Sequence, residues 1–241
     1  DAGQRFDEDA LRMLRAVRFA GQLGFEIEEK TREAIIKRAS HLESISAERI
    51  RVELTKLLVS KEAGRIRDAY YTGMTKYFLP ELDTAMQTQQ KNPHHIYTVG
   101  EHSIYGIEIM NCFFGVTFNR KIYDKIPGDV LETAKRLAGK MDKKQQTILC
   151  MTMLLHDIAK PAVMTVDENG VGHFYGHPQE SEKMAKKIMR RLTFDNDSIS
   201  NACRLIRFHD YRMEDTNRAF RRAVSKIGAD IMNMLFLVEY A

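Results

Sequence analysis

The amino-acid sequence predicts an all-α fold: two helical domains, the second carrying one small β-hairpin. Three observations carry that expectation. Apolar residues recur at helical spacing through most of the chain, as in Leu11, Leu14 and Leu23, or Ile50, Leu54, Leu57 and Leu58. No strand pattern occurs in the first third. Only one pair of β-branched runs, Val163–Val166 and Val171–Phe174, flanks a turn of hairpin type, Asp167-Glu168-Asn169-Gly170. With 241 residues, 44% hydrophobic and 29% charged, the chain is long enough to bury the core of one large or two small domains.

Taken in order, Asp7 to Leu23 reads as a helix with Asp7, Glu8 and Asp9 in its first turn, where acidic groups complement the helix dipole, and Gly24 as its stop. Thr31 caps a second helix, Arg32 to Arg38, and Ser46 a third, Ala47 to Ser60. A fourth, Lys61 to Tyr71, leads through Gly73 to a short helix ending near Pro80. The polar stretch Thr84 to Pro93, with Gln87, Gln89 and Gln90, marks the boundary between domains 1–91 and 92–241. A long helix, Gly100 to Cys112, carries His102 near its start. Phe113 to Lys144 holds a loop and one amphipathic helix, Asp129 to Ala138. The most apolar run, Thr147 to Leu155, leads into His156-Asp157, and Pro161 ends that helix. After the hairpin, His177-Pro178 opens a helix with Met184, Ile188 and Leu192 on one face and His177 at its cap. Asp197 starts another with Ile199, Ala202, Ile206 and His209 on one face, and a last helix runs from Arg218 to Ala241.

Composition narrows the function classes. No apolar run approaches the roughly 20 residues that span a bilayer, and the start of the chain has no signal-peptide pattern. Cys112, Cys150 and Cys203 are odd in number and set among apolar residues, as expected of reduced core thiols in a cytoplasmic protein. The net charge of +4 is mild, with basic against acidic residues at 16 to 15 over 1–91 and 21 to 18 over the rest. Any RNA contact therefore comes from local patches. Histidine is concentrated instead: seven of eight lie between His94 and His209.

That concentration has a chemical meaning. His102, His156, Asp157, His177 and His209 stand on four helices or helix ends, each beside an apolar face. A single histidine so placed is more often a satisfied core residue, and His156-Asp157 alone reads as a buried ion pair. Four imidazoles with a carboxylate form a donor pool for one or two divalent metals, with Mg, Mn, Ni, Fe and Zn all compatible. A metal-activated water attacking a phosphoester is the chemistry such a site supports, with Asp157 catalytic and Lys160 placed for a phosphate oxygen. In the first third, Glu8 and Arg12 form an ordinary four-apart pair, and Arg12, Arg15 and Arg18 read as a solvated face.

Two groups of motifs then add a resemblance. His102 followed by His156-Asp157 in a helical setting resembles the HD superfamily of metal-dependent phosphohydrolases. Asn92-Pro93-His94-His95-Ile96-Tyr97-Thr98-Val99-Gly100-Glu101-His102, Leu154-Leu155-His156-Asp157-Ile158-Ala159-Lys160-Pro161 and His173-Phe174-Tyr175-Gly176-His177-Pro178 resemble the HD domain attached to bacterial CCA-adding tRNA nucleotidyltransferases and their poly(A) polymerase relatives. Arg5-Phe6-Asp7-Glu8-Asp9-Ala10-Leu11-Arg12-Met13-Leu14-Arg15-Ala16-Val17-Arg18-Phe19, with Ser46-Ala47-Glu48-Arg49-Ile50 and Glu53-Leu54, resembles the neck of the class II enzymes of that family. The resemblance implies that Glu8, Asp9 and Arg12 read the Watson–Crick edge of CTP or ATP, and that the first domain recognises tRNA. His177 and His209 match the extra histidines of two-metal members. It also implies a last metal-binding aspartate one residue beyond Ala241, and a polymerising head whose Gly-Ser turn and Asp-x-Asp pair on a sheet do not occur here. The expectation is the C-terminal fragment of a CCA-adding enzyme, cytoplasmic, with tRNA and nucleotides as partners and a homodimer allowed. Its alternatives are an HD phosphohydrolase acting on RNA ends or nucleotides, and a non-catalytic RNA-binding module.

Overall fold

Asp9 breaks the first helix in two. The computed structural model describes residues 2–91, 96–117, 119–214 and 216–241, and it replaces the single helix expected from Asp7 by α1 (Ala2–Glu8) and α2 (Leu11–Leu23). Asp9 Oδ1 accepts the Leu11 N–H at 3.1 Å, so this carboxylate holds the turn before α2 rather than decorating a longer first turn. Gly24 does end α2, in the left-handed region at φ 72°. Helix α3 (Glu29–Arg38) starts earlier than expected, and Thr31 lies inside it, donating its hydroxyl to Glu28 Oε2 at 3.0 Å. Ser46 holds the N-cap position of α4 (Ala47–Leu58) without a side-chain cap bond. The next expected helix is a 3₁₀ turn, Ala63–Arg65, followed by α5 (Ile66–Tyr71). Pro80 opens α6 (Pro80–Gln87) rather than closing a helix, because its fixed φ suits a first turn and its missing N–H is not needed there. Part of the polar stretch expected as a boundary is therefore helical. Residues 92–95, the end of that stretch and the start of the motif that leads to His102, lie outside the described residues.

The second half follows with α7 (Val99–Phe113), α8 (Arg120–Tyr123), α9 (Gly128–Ala138) and α10 (Lys143–Leu155). A capping box opens α10: Asp142 Oδ1 accepts the Gln145 N–H at 2.7 Å, and Gln145 Oε1 accepts the Asp142 N–H at 2.9 Å. The helix ends at Leu155 and not at Pro161, which instead sits in the first turn of the short α11 (Lys160–Val163). Strands β1 (Thr165–Val166) and β2 (Gly172–His173) pair antiparallel, Thr165 opposite His173. Helices α12 (His177–Arg191) and α13 (Asn196–Phe208) come next, the latter capped by Asp195 rather than begun at Asp197. The expected last helix is two, α14 (Asn217–Ile227) and α15 (Met232–Tyr240), parted at Gly228 with φ 105°. Arg204 braces the break, donating to Ile227 O at 2.6 Å and to Asp230 Oδ2 at 2.7 Å.

Helix α10 is the axis of the second half. Every residue from Ile148 to Leu155 is buried, and α7, α13, α15 and α4 pack around it. The buried apolar cluster runs without a break from Phe6 to Val238. Polar ties accompany it across the expected boundary. Asn111 on α7 donates to Leu58 O at 2.8 Å, and Arg67 on α5 donates to Glu101 Oε2 at 2.8 Å and Glu108 Oε2 at 3.2 Å. Arg18 departs from the solvated face expected of it: it is buried and ion-paired with the equally buried Glu53. All three cysteines are buried and free, and burial pushes the Cys150 thiol up to about 12, which keeps it in the unreactive thiol form. Among the described residues no helix is long and apolar enough to cross a membrane.

Candidate metal centre

The ends of α10, α12 and α13 and the first turn of α7 bring five donors together. Thr98 Oγ1 accepts the Glu101 N–H at 3.2 Å, starting α7 so that His102 falls in its first turns. His156 and Asp157 follow the last residue of α10, and His209 follows the last of α13. Gly176, at φ 73°, supplies the left-handed turn from which α12 begins at His177.

Three of the rings are oriented in the same way. His156 Nδ1 lies 2.8 Å from Met153 O, His177 Nδ1 2.9 Å from Phe174 O, and His209 Nδ1 2.7 Å from Ile206 O. A carbonyl only accepts, so Nδ1 carries the hydrogen and each neutral ring presents a lone pair at Nε2. Those Nε2 atoms converge. His156 and His102 stand 3.3 Å apart, and His177 and His209 stand 3.2 Å apart. Asp157 lies between the pairs: Oδ2 is 3.2 Å from His156 Nε2 and 3.6 Å from His102 Nε2, while Oδ1 is 3.3 Å from His177 Nε2 and 3.5 Å from His209 Nε2. The result is two triads that share one carboxylate.

The donor set fits a cation. Facing lone pairs repel unless a proton or a metal lies between them, and Asp157 Oδ1 is buried with no hydrogen-bond partner when the rings are neutral. Ligands bound at about 2.0–2.2 Å around one divalent metal stand roughly 3–3.5 Å from each other, which is the spacing of both triads. Burial alone would push the Asp157 carboxyl up, but the charge of His156 and hydrogen bonds from His156, His177 and His209 hold it well below the usual carboxylate range. Burial pulls His209 down, and its bond to Asp157 and the charge of that carboxylate more than restore it.

Lys160 belongs to this centre through the carboxylate. Its Nζ sits 2.7 Å from Asp157 Oδ2 and donates to Gln90 Oε1 at 3.0 Å, over the Phe174 ring at 5.3 Å. Two of its three N–H groups are thus engaged. Gln90 is held by the hairpin: Gly172 donates to Lys91 O at 2.8 Å, and a Cβ at Gly172 would lie 2.4 Å from Gln90 O. The five donors open into a cleft of about 510 Å³ that His173, Tyr175 and Arg212 also line. Size does not mark the site. A larger cleft of about 760 Å³ beside α5 and α7 is lined by Arg65, Arg67, Asp68 and Glu108, whose charges are spent on ion pairs.

Glu8, Asp9 and Arg12 lie together but are paired differently from the expected template. Arg12 binds Glu8 and donates to Arg5 O at 2.9 Å, whereas Asp9 Oδ2 takes Arg49 at 2.8 Å. Glu8, Asp9 and Arg49 line a cleft of their own, of about 630 Å³. Sequence reasoning named none of Gln90, His173, Tyr175 and Arg212 as a site residue, although His173 and Tyr175 fall within a quoted motif. Gln90 is hidden in a polar run, and an exposed tyrosine between two glycine-flanked turns has no periodic signature.

Comparisons with known proteins match two parts of the chain. Residues 24–86 match the family described as the probable RNA and SrmB-binding site of polymerase A, and residues 127–233 match the HD domain family. The chain is 30% identical over 222 residues to the CC-adding tRNA nucleotidyltransferase of Thermus thermophilus, covering 89% of this chain and 44% of that protein. It is 32% identical over 193 residues to the CCA-adding enzyme of Limosilactobacillus reuteri, covering 78% of this chain and 47% of that one. A shorter stretch of 80 residues, 33% of this chain and 20% of its relative, is 45% identical to the CCA-adding enzyme of Leuconostoc mesenteroides. The chain thus spans less than half the length of these relatives.

Proposed function

We propose that this chain, which belongs to the bacterial CCA-adding enzyme family as the C-terminal portion of such an enzyme, serves a tRNA nucleotidyltransferase by holding tRNA and carries beside that role a metal-dependent phosphohydrolase centre. The observation that carries the second part is the pair of histidine couples facing one buried carboxylate, 3.3 Å and 3.2 Å across. His102, His156 and Asp157 would hold one divalent cation, and Asp157, His177 and His209 a second. Such a cation lowers the pKa of water and polarises a phosphoryl oxygen.

The protein's own groups do the positioning. The three backbone carbonyls that accept from Nδ1 keep the rings aimed and their Nε2 atoms free. Lys160 neutralises Asp157 and fixes its plane, and its third N–H is the one left for a phosphate oxygen. Glu8, Asp9 and Arg12 serve the base of CTP or ATP in the full enzyme, where Arg12 would exchange Glu8 for the nucleobase. The place of action is the cytoplasm, where the tRNA substrate is.

Metal analysis after dialysis against Mn²⁺, with hydrolysis of bis-p-nitrophenyl phosphate and a 2′,3′-cyclic nucleotide, tests the centre. Bound metal and turnover that His156→Ala and Asp157→Ala both remove are expected. A protein that takes up no metal and hydrolyses neither ester sinks the reading. Binding of tRNA should fall steeply between 50 and 200 mM salt, about 10³-fold if some six phosphates are contacted, and survive both substitutions.

A further inference from the structure

One exposed aromatic stands out on the wall of the metal cleft. Tyr175 is 78% exposed, yet its ring lies parallel to His173, with centroids 5.5 Å apart and an interplanar angle of 4°. An exposed tyrosine is ordinarily free to rotate, and here it is held. His173 Nε2 is tied to Asp167 Oδ2 at 2.9 Å, and the other oxygen of Asp167 accepts the N–H groups of Asn169 and Val171, each at 2.9 Å. The hairpin turn therefore fixes His173, and His173 backs Tyr175. The imidazole overlaps part of one face of the tyrosine in an offset stack. Most of the ring is open to solvent, and it lines the same cleft as the donors that would hold phosphate.

We propose that Tyr175 is a nucleobase platform: the centre takes a nucleotide unit, its phosphate at the histidine–aspartate donors and its base stacked on the open face of Tyr175. The proposal rests on the phosphohydrolase reading for the place of the phosphate, and on the Tyr175–His173 stack for the base. Every base offers a π face, so a platform of this kind accepts adenine and cytosine alike and selects nucleotides over sugar phosphates. No hydrogen-bonding reader of the base edge is required. A pre-ordered ring also loses little side-chain freedom on binding, which makes the stack more effective than a mobile tyrosine would be.

Calorimetry with AMP and ribose 5-phosphate, which differ only in the base, tests this on the full chain with and without Mn²⁺. Wild type should bind AMP about tenfold more tightly than ribose 5-phosphate, Tyr175→Phe should keep that ratio, and Tyr175→Ala should bring it to about one. Because the chain contains no tryptophan, the Tyr175→Trp variant adds a direct readout: AMP should quench its fluorescence and ribose 5-phosphate should not. An oligoribonucleotide with a 3′-phosphate, run beside AMP, separates an RNA end from a free nucleotide as the source of the unit. Equal binding of AMP and ribose 5-phosphate by a protein that holds Mn²⁺, or binding of neither, overturns the platform and leaves the metal centre standing. Base preference in a protein that binds no Mn²⁺ keeps the platform and overturns the metal centre.

Discussion

At the scale of single residues, Asp157 has three jobs, and its removal should show all of them. It completes both triads, so Asp157→Asn should abolish metal uptake at both positions, while His209→Ala should remove one equivalent of two, measured by elemental analysis after gel filtration. It is also the counter-charge of Lys160, whose side chain is 9% exposed. In the metal-free protein Asp157→Asn leaves that ammonium buried with an amide, and should destabilise by about 3 kcal/mol, read as a lower urea midpoint. The five donors were legible in the sequence because imidazole and carboxylate beside apolar helix ends have few structural reasons to be there. Their second neighbours were not. Gln90, the acceptor for Lys160, is one of several glutamines in a polar run, and only the approach of Gly172 to its backbone singles it out. Arg18 was misread for the related reason that its partner, Glu53, is distant in sequence.

At the scale of elements, helix existence was legible and helix ends were not. The apolar period runs through Asp9 and through Gly228 as if each helix continued, and what breaks them is a turn held by the Asp9 carboxylate in one case and a positive-φ glycine braced by Arg204 in the other. Asp195, the N-cap of α13, shows how much a side-chain cap is worth. Its oxygens accept the Ser198 N–H at 3.0 Å and the Ser198 hydroxyl at 2.7 Å, and Lys144 lies 3.1 Å away. The two Ser198 bonds hold its carboxyl below the ordinary value against a smaller push from burial, and the hydrogen bond and charge of Lys144 add to them. Asp195→Ala should cost about 1 kcal/mol at neutral pH. Because the folded pKa is depressed, that contribution is complete above the unfolded value of about 3.9 and is lost as the pH falls further. The difference between wild type and Asp195→Ala in urea titrations should therefore shrink below about pH 4. Gly100, where α7 crosses α6, is a second element-scale test. A Cβ there would meet Met86 N at 2.7 Å and Met86 Cα at 2.8 Å. Gly100→Ala must push two helices apart, and should lower stability by roughly 1–3 kcal/mol in thermal or urea unfolding.

At the scale of the whole molecule, composition and charge indicated the class of protein, but not how its halves are joined. A polar run reads as a linker when its neighbours are unknown. In the structure α6 occupies part of it, and Arg67 reaches across to Glu101 and Glu108. Burial pushes the Glu108 carboxyl up, and the charge and hydrogen bond of Arg67 counter it. Arg67→Ala should leave Glu108 without its partner and lower stability by about 1–3 kcal/mol. With one apolar cluster shared by both halves, differential scanning calorimetry should still record a single transition in this variant. Two resolved transitions would mean that the halves melt independently.

A carboxylate that faces two triads has a thermodynamic consequence. When both positions hold a cation, each cation changes the affinity for the other by the same factor, because the coupling free energy belongs to the pair. His102 is 34% exposed and His156, Asp157, His177 and His209 are 2–12% exposed, so the two positions differ in access to solvent although they share an anion. With a cation at each, the more exposed position would exchange the more readily, and Asp157, shared by both triads, would couple its occupancy to that of the other. A Mn²⁺ isotherm should be biphasic in wild type and simple in His102→Ala, with the remaining constant shifted. Two independent, unshifted constants would show that Asp157 transmits nothing.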